Sequence, residues 1–190
     1  KPFVALFGGS LGLAKPSWQT RLLDQIFNKR LLPAFELNPD TLQRYMKTID
    51  SAPGCSVVSY ASTALNFATY VSGLNWQPNI ATIICTAENM PESWRKKISA
   101  TLKTSVYCYY GCSEVESLGY QHHSETGYII PQEHVVVETT GKNHEEFITE
   151  GEGDLVVTSL FNYAMPIIRY INGDKGQIGY ASDGRLKHQR

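Results

Sequence analysis

Ile80-Ala81-Thr82-Ile83-Ile84-Cys85-Thr86 is a continuously apolar, β-branched run, the pattern of a strand buried on both faces of a parallel sheet. Downstream, Pro91-Glu92-Ser93-Trp94 opens a helix reaching about Leu102, and Ser105-Val106-Tyr107-Cys108-Tyr109-Tyr110 returns to a strand pattern. Upstream, Ala61 to Val71 reads as helix and Ser56-Val57-Val58-Ser59-Tyr60 as strand. Before these, Asn38-Pro39-Asp40 supplies a cap, a proline at the first helical position and an early acid. The helix it starts places Leu42, Tyr45, Met46 and Ile49 on one face. Residues 17–30 carry Trp18, Leu22, Leu23, Ile26 and Phe27 at helical spacing, and Phe3-Val4-Ala5-Leu6-Phe7 is a buried strand entering a loop at Gly8-Gly9.

This alternation of strand and helix predicts an α/β fold with a mainly parallel sheet flanked by helices. After Glu114 the rhythm changes. Tyr128-Ile129-Ile130, His134 to Thr139, Asp154 to Leu160, Pro166 to Tyr170 and Gln177 to Tyr180 are strands joined by polar, Gly-rich turns without intervening helices. That part predicts an antiparallel addition. The expected division falls near residue 120, giving an α/β portion over 1–120 and an antiparallel β portion over 121–190 of one domain.

The 190 residues are 42% hydrophobic, enough to bury a core, and the net charge of −1 gives no electrostatic case for nucleic acid or an anionic membrane. No apolar run reaches the roughly 18–20 residues needed to span a bilayer. Cys55, Cys85, Cys108 and Cys112 form no Cys-x-x-Cys pair, and three lie in or beside apolar runs. Reduced thiols in a cytoplasmic protein are the expectation.

Two turns carry candidate chemistry. In Tyr110-Gly111-Cys112-Ser113-Glu114, a strand ends in a glycine turn at the carboxyl edge of the sheet, where ligands of parallel α/β sheets bind. Glycine permits the turn. The Ser113 hydroxyl and nearby N–H groups can face a phosphate, and Glu114 can hold Mg²⁺ that also meets phosphate oxygens. An ordinary strand-to-loop turn with Ser113 and Glu114 solvated is the plain alternative. Tyr170-Ile171-Asn172-Gly173-Asp174 carries the second carboxylate, and Asn172-Gly173 equally suits a hairpin turn.

Together these motifs resemble the adenylate-forming enzymes, and most closely their phenylacetate–coenzyme A ligase branch. The stretch Gly153-Asp154-Leu155-Val156, followed by Pro166-Ile167-Ile168-Arg169-Tyr170, is similar to that branch's paired strands, and the resemblance is detailed over about residues 80–176. It implies that Tyr110 stacks on adenine beside Gly111, that Ser113 meets the α-phosphate, that Glu114 holds Mg²⁺ and that Asp174 accepts both ribose hydroxyls. Ile171 and Asn172 stand where the family has Arg and Thr. Thr86-Ala87-Glu88-Asn89 is similar to the family's Gly-Ala-Glu-Pro loop, which places Ala87 and Glu88 along the adenine and acyl pockets; a solvated Glu88 beside a helix cap is the alternative. Tyr60 corresponds to a tyrosine at the rim of the acyl pocket, or is a half-buried packing aromatic.

Other features point less far. Gly8 to Lys15 imitates the family's phosphate loop but keeps only Ser10 of its hydroxyl pair, and reads as a strand-loop connection. His122, His123 and His134 with Cys108 and Cys112 invite a zinc site; Ala181-Ser182-Asp183 stands where the resembling zinc proteins have thiolates, so exposed loop histidines are expected. No hydrolase signature is present. The ending Gly184-Arg185-Leu186-Lys187-His188 is similar to the stretch before the family's hinge, and the chain starts at Lys1. The expectation is therefore part of an ATP-dependent carboxylate–coenzyme A ligase without its mobile C-terminal domain. Its partners would be ATP or AMP, Mg²⁺, coenzyme A, a small-molecule carboxylate and the remaining segments of the same enzyme. The alternative is a non-catalytic relic or split subunit acting as a binding module.

Overall fold

The computed structural model describes residues 2–6, 17–34, 37–122, 127–141, 146–180 and 186–189. The sequence features at Gly8–Lys15, His123 and Ala181–Arg185 lie outside the described residues. The chain forms two compact units, Lys1–Tyr107 and Cys108–Arg190, and combines a mainly parallel, helix-flanked sheet with an antiparallel one.

The first unit is built on β1 (Phe3–Leu6), β2 (Lys29–Leu32), β3 (Cys55–Tyr60) and β4 (Ile80–Thr86), in the order β2-β1-β3-β4 with every pair parallel. Burial alternates along β3, where Cys55, Val57 and Ser59 are buried between half-exposed neighbours. The helices are α1 (Trp18–Ile26), α2 (Pro39–Asp50), α3 (Ala61–Val71) and α4 (Glu92–Leu102).

The start of α2 is the one its sequence dictates. The Asn38 side chain accepts from the Thr41 N–H at 2.9 Å, Pro39 needs no donor in the first turn, and Asp40 complements the helix dipole. Leu42, Tyr45 and Ile49 face inward, and Tyr45 packs edge-on against Phe67 of α3 at 5.5 Å. Phe67 in turn meets Trp76 at 5.7 Å, whose indole N–H donates to Asp50 at 2.9 Å. The Tyr45 hydroxyl donates to the Pro33 carbonyl, and burial pushes its pKa from 10.0 to about 12, with Arg44 opposing.

Helical spacing over 17–30 is only half realised. Asn28 takes a left-handed φ of 49° just past α1, and Lys29–Leu32 then runs beside β1 as strand β2. The apolar residues of α1 do not enter the core: Trp18, Ile26 and Phe27 are 73%, 66% and 70% exposed.

The second unit orders its strands β5-β6-β7-β11-β10-β9-β8, all antiparallel. They are β5 (Val106–Cys112, which crosses the division), β6 (Glu116–Gln121), β7 (Tyr128–Ile129), β8 (Val135–Thr139), β9 (Gly151–Ser159), β10 (Tyr170–Tyr180) and β11 (Leu186–Gln189). Leu118, Ile129, Val135, Val137, Leu155, Val157 and Ile178 form its core. Two sequence expectations change here. Glu116–Gln121 is a strand although it lacks β-branched residues. Backbone pairing to β5 holds it, and Gly119 lets Tyr128 and Ile129 close in, since a Cβ there would lie 3.1–3.2 Å from them. And Asn172-Gly173-Asp174 is not a hairpin turn: it lies inside β10, which runs unbroken where two shorter strands were expected. The segment from Pro166 up to Arg169 is not strand.

Candidate nucleotide site

A bulge interrupts β10 at the site. Ile171 pairs with Val156 and Lys175 with Asp154, so 172–174 on β10 stand opposite Leu155 alone. Such an insertion bends the strand and redirects its side chains. Gly173, at φ 87°, supplies the left-handed residue this requires.

A closed ring of hydrogen bonds joins β5 and β10. The Tyr110 hydroxyl donates to Oδ2 of Asp174 at 2.7 Å. The Asn172 amide donates from Nδ2 to the same hydroxyl at 2.8 Å, and the Asp174 N–H donates to Asn172 Oδ1 at 3.1 Å. Tyr110 is 5% exposed, its ring tilted against Tyr128 with centroids 5.5 Å apart. Two motifs some sixty positions apart are thus joined directly through the Tyr110 hydroxyl.

Next to this ring, Ser113 and Glu114 form the exposed tip of the β5–β6 hairpin. The Tyr170 hydroxyl donates to Oε1 of Glu114 at 2.9 Å. That bond is the first cause holding the Glu114 carboxyl below its ordinary pKa, and it raises the Tyr170 phenol in return. Burial pushes the Cys112 thiol up. A Cβ on Gly111 would lie 1.8 Å from the Glu116 carbonyl oxygen, so only glycine fits this hairpin. Arg169, at φ 49°, anchors the entrance to β10: its guanidinium forks onto Glu138 at 3.1 and 3.2 Å and lies over the Phe147 ring at 4.6 Å.

In the first unit, Ala87 has a left-handed φ of 64° after β4 and turns the chain so that Glu88 points back. The Glu88 carboxylate accepts from the Ser62 N–H at 2.7 Å and the Ser62 hydroxyl at 2.9 Å. Tyr60 occupies the N-cap position of α3, half-buried. Tyrosine is not a capping residue, so Glu88 serves the helix start from another loop. Ser62, Tyr170 and Asn172 are partners that sequence reasoning did not assign. Asn172 carried a readable signal, since Asn before Gly closes local side chain–backbone turns.

One carboxylate exposed at a hairpin tip fits the way Mg²⁺ is bound with substrate phosphates, through one or two protein carboxylates and retained waters. It does not fit an all-protein cage: among the described residues no group of three or more His, Cys, Asp or Glu gathers. Nor, among those residues, is any helix long and apolar enough to cross a membrane.

No family model matches this sequence, and no curated protein matches it. Solved structures do share its fold. An open conformation of 2-hydroxyisobutyryl-CoA ligase, in complex with 2-HIB-AMP and CoA, matches with a TM-score of 0.72 at 17% identity, over 99% of this chain and 46% of that one. The N-terminal domain of FACL13 from Mycobacterium tuberculosis matches at 0.59 and 14% identity, over 100% of this chain and 51% of that one. The luciferase-like enzyme of the mealworm Zophobas morio matches at 0.65 and 16% identity, over 98% and 48%. The chain shares its fold with part of each of these neighbours, including about half of the FACL13 N-terminal domain, and spans about half their length.

Proposed function

We propose that this chain is the nucleotide- and acyl-pocket part of an ATP-dependent carboxylate–coenzyme A ligase of the phenylacetate–coenzyme A ligase type. The observation that carries the reading is the direct bond from Tyr110 to Asp174. It joins the two motifs on which the adenylate-forming resemblance rests, in a fold shared with a ligase crystallised with an acyl-AMP and CoA.

In this reading Asp174, an acceptor with two oxygens, takes the two ribose hydroxyls. Tyr110 lies with Gly111 along the adenine side. Ser113, at the exposed hairpin tip, donates to the α-phosphate, and Glu114 would hold Mg²⁺ there. The ion would neutralise phosphate charge when bound. Ala87 and Glu88 border the acyl and adenine pockets, with Tyr60 at the rim. The Glu88 bond to Ser62 fixes the loop carrying them. The chemistry is attack of a carboxylate on ATP, giving acyl-adenylate and pyrophosphate, then transfer of the acyl group to the thiol of coenzyme A with release of AMP. The setting is cytoplasmic.

Calorimetry of the purified chain with AMP and Mg²⁺ tests the binding half. Saturable binding is expected, weakened at least about tenfold by Asp174→Ala, the loss of a charged hydrogen-bond acceptor. Binding unchanged by that substitution rejects the ribose assignment. Carboxylate-dependent pyrophosphate release followed by thioester formation by the intact enzyme, and not by this chain alone, tests the reaction; pyrophosphate release by the intact enzyme without dependence on any carboxylate argues against a ligase.

A further inference from the structure

The Asn172 side chain is held at both ends, and this fixes its direction. Oδ1 faces the Asp174 N–H, so a flipped carboxamide would set donor against donor. Nδ2 must therefore face the Tyr110 oxygen, and does, at 2.8 Å. A phenol oxygen receiving that donor has its own proton left for Asp174, 2.7 Å away. The chain N–H···O–H···⁻O polarises in one direction, each bond strengthening the next. Few side chains can do both jobs. Aspartate keeps the acceptor but loses the donor and adds a second carboxylate. Threonine has a single hydroxyl oxygen to serve both contacts. Alanine does neither.

We propose that Asn172 is a positioning residue that sets the direction of the Tyr110 proton, holds Asp174 as an oriented acceptor, and so makes the site selective for a ligand with two adjacent hydroxyl groups. This rests on the nucleotide reading above and goes beyond it, assigning selection between ribose and deoxyribose to a residue outside the motif carboxylates. Asn172 and Asp174, two positions apart, lie on the same side of β10 as alternate strand residues do, and both reach the Tyr110 hydroxyl.

The test uses the 190-residue chain and two readouts. In calorimetry, Asn172→Ala is expected to weaken AMP about 3–10-fold, the effect of one lost hydrogen bond. It leaves the affinity for 2′,3′-dideoxy-AMP unchanged and has no further effect in an Asp174→Ala background. Asn172→Asp, close to isosteric, weakens AMP more than alanine does. In proton NMR of the chain without nucleotide, the Tyr110 hydroxyl gives a slowly exchanging resonance, assigned by its loss in Tyr110→Phe, and Asn172→Ala abolishes its protection. Equal losses for AMP and the dideoxy analogue, or an undiminished hydroxyl resonance in Asn172→Ala, overturn the proposal. Absence of AMP binding, or binding indifferent to Asp174→Ala, overturns instead the nucleotide reading and the diol selectivity built on it. The hydroxyl resonance then still decides whether Asn172 orients Tyr110.

Discussion

A Cβ at Gly111 would sit 1.8 Å from the Glu116 carbonyl oxygen, while one at Gly173 would meet nothing within 4 Å. The two glycines of the site are therefore required for different reasons. Gly111→Ala must displace backbone and is expected to cost about 2–4 kcal/mol, read by denaturant unfolding. Gly173→Ala faces only the left-handed φ of 87°, and the expected cost is about 1–2 kcal/mol. Equal costs would show that the hairpin adjusts around a side chain. Tyr45 offers a test by pH. Its folded pKa, about 12, exceeds its ordinary 10.0, so the folded protein retains a proton that the unfolded chain releases. The associated stability is fully present below pH 10 and falls as pH rises toward 12, by up to about 2–3 kcal/mol. Tyr45→Phe loses about 1 kcal/mol at neutral pH with the bond to Pro33. It should then show a smaller decline between pH 10 and 12; an identical decline would place the titrating group elsewhere.

Among the elements, α3 depends on a residue from outside itself. Glu88→Ala removes the acceptor for both Ser62 donors and is expected to cost about 1 kcal/mol, with Glu88→Gln between alanine and the native residue. Unchanged melting in Glu88→Ala would free Glu88 from any structural role. This capping was not legible in the sequence, because the partners lie 26 positions apart and neither loop shows a local cap. Elements with local signals were legible: α2 through Asn38-Pro39-Asp40, α4 through Pro91-Glu92, and β3 and β4 through their apolar runs. Glu116–Gln121 was not, since hairpin pairing to β5 rather than β-propensity makes it a strand. Within the site, Tyr110 and Asp174 could be picked out as motif residues. Their contact could not, because the partners lie 64 positions apart and Asn172-Gly173 suits a hairpin as well as a bulge.

At the scale of the molecule, the fold leaves apolar side chains in water as well as in two cores. Trp18, Ile26 and Phe27 are exposed on and just after α1, and Phe161, Tyr163, Met165 and Ile168 are exposed in the segment between β9 and β10. Patches of this kind promote association. Replacing Trp18, Ile26 and Phe27 together by Gln is expected to reduce binding of a hydrophobic dye and concentration-dependent association, measured by light scattering, without lowering the melting temperature. A lowered melting temperature would instead place those residues in a core. The most direct test of the central claim is a residue-resolved NMR titration of the chain with AMP and Mg²⁺. Saturable shifts concentrated at Tyr110–Glu114 and Asn172–Lys175, and lost in Asp174→Ala, are the predicted result. Shifts that leave both segments untouched would contradict the account.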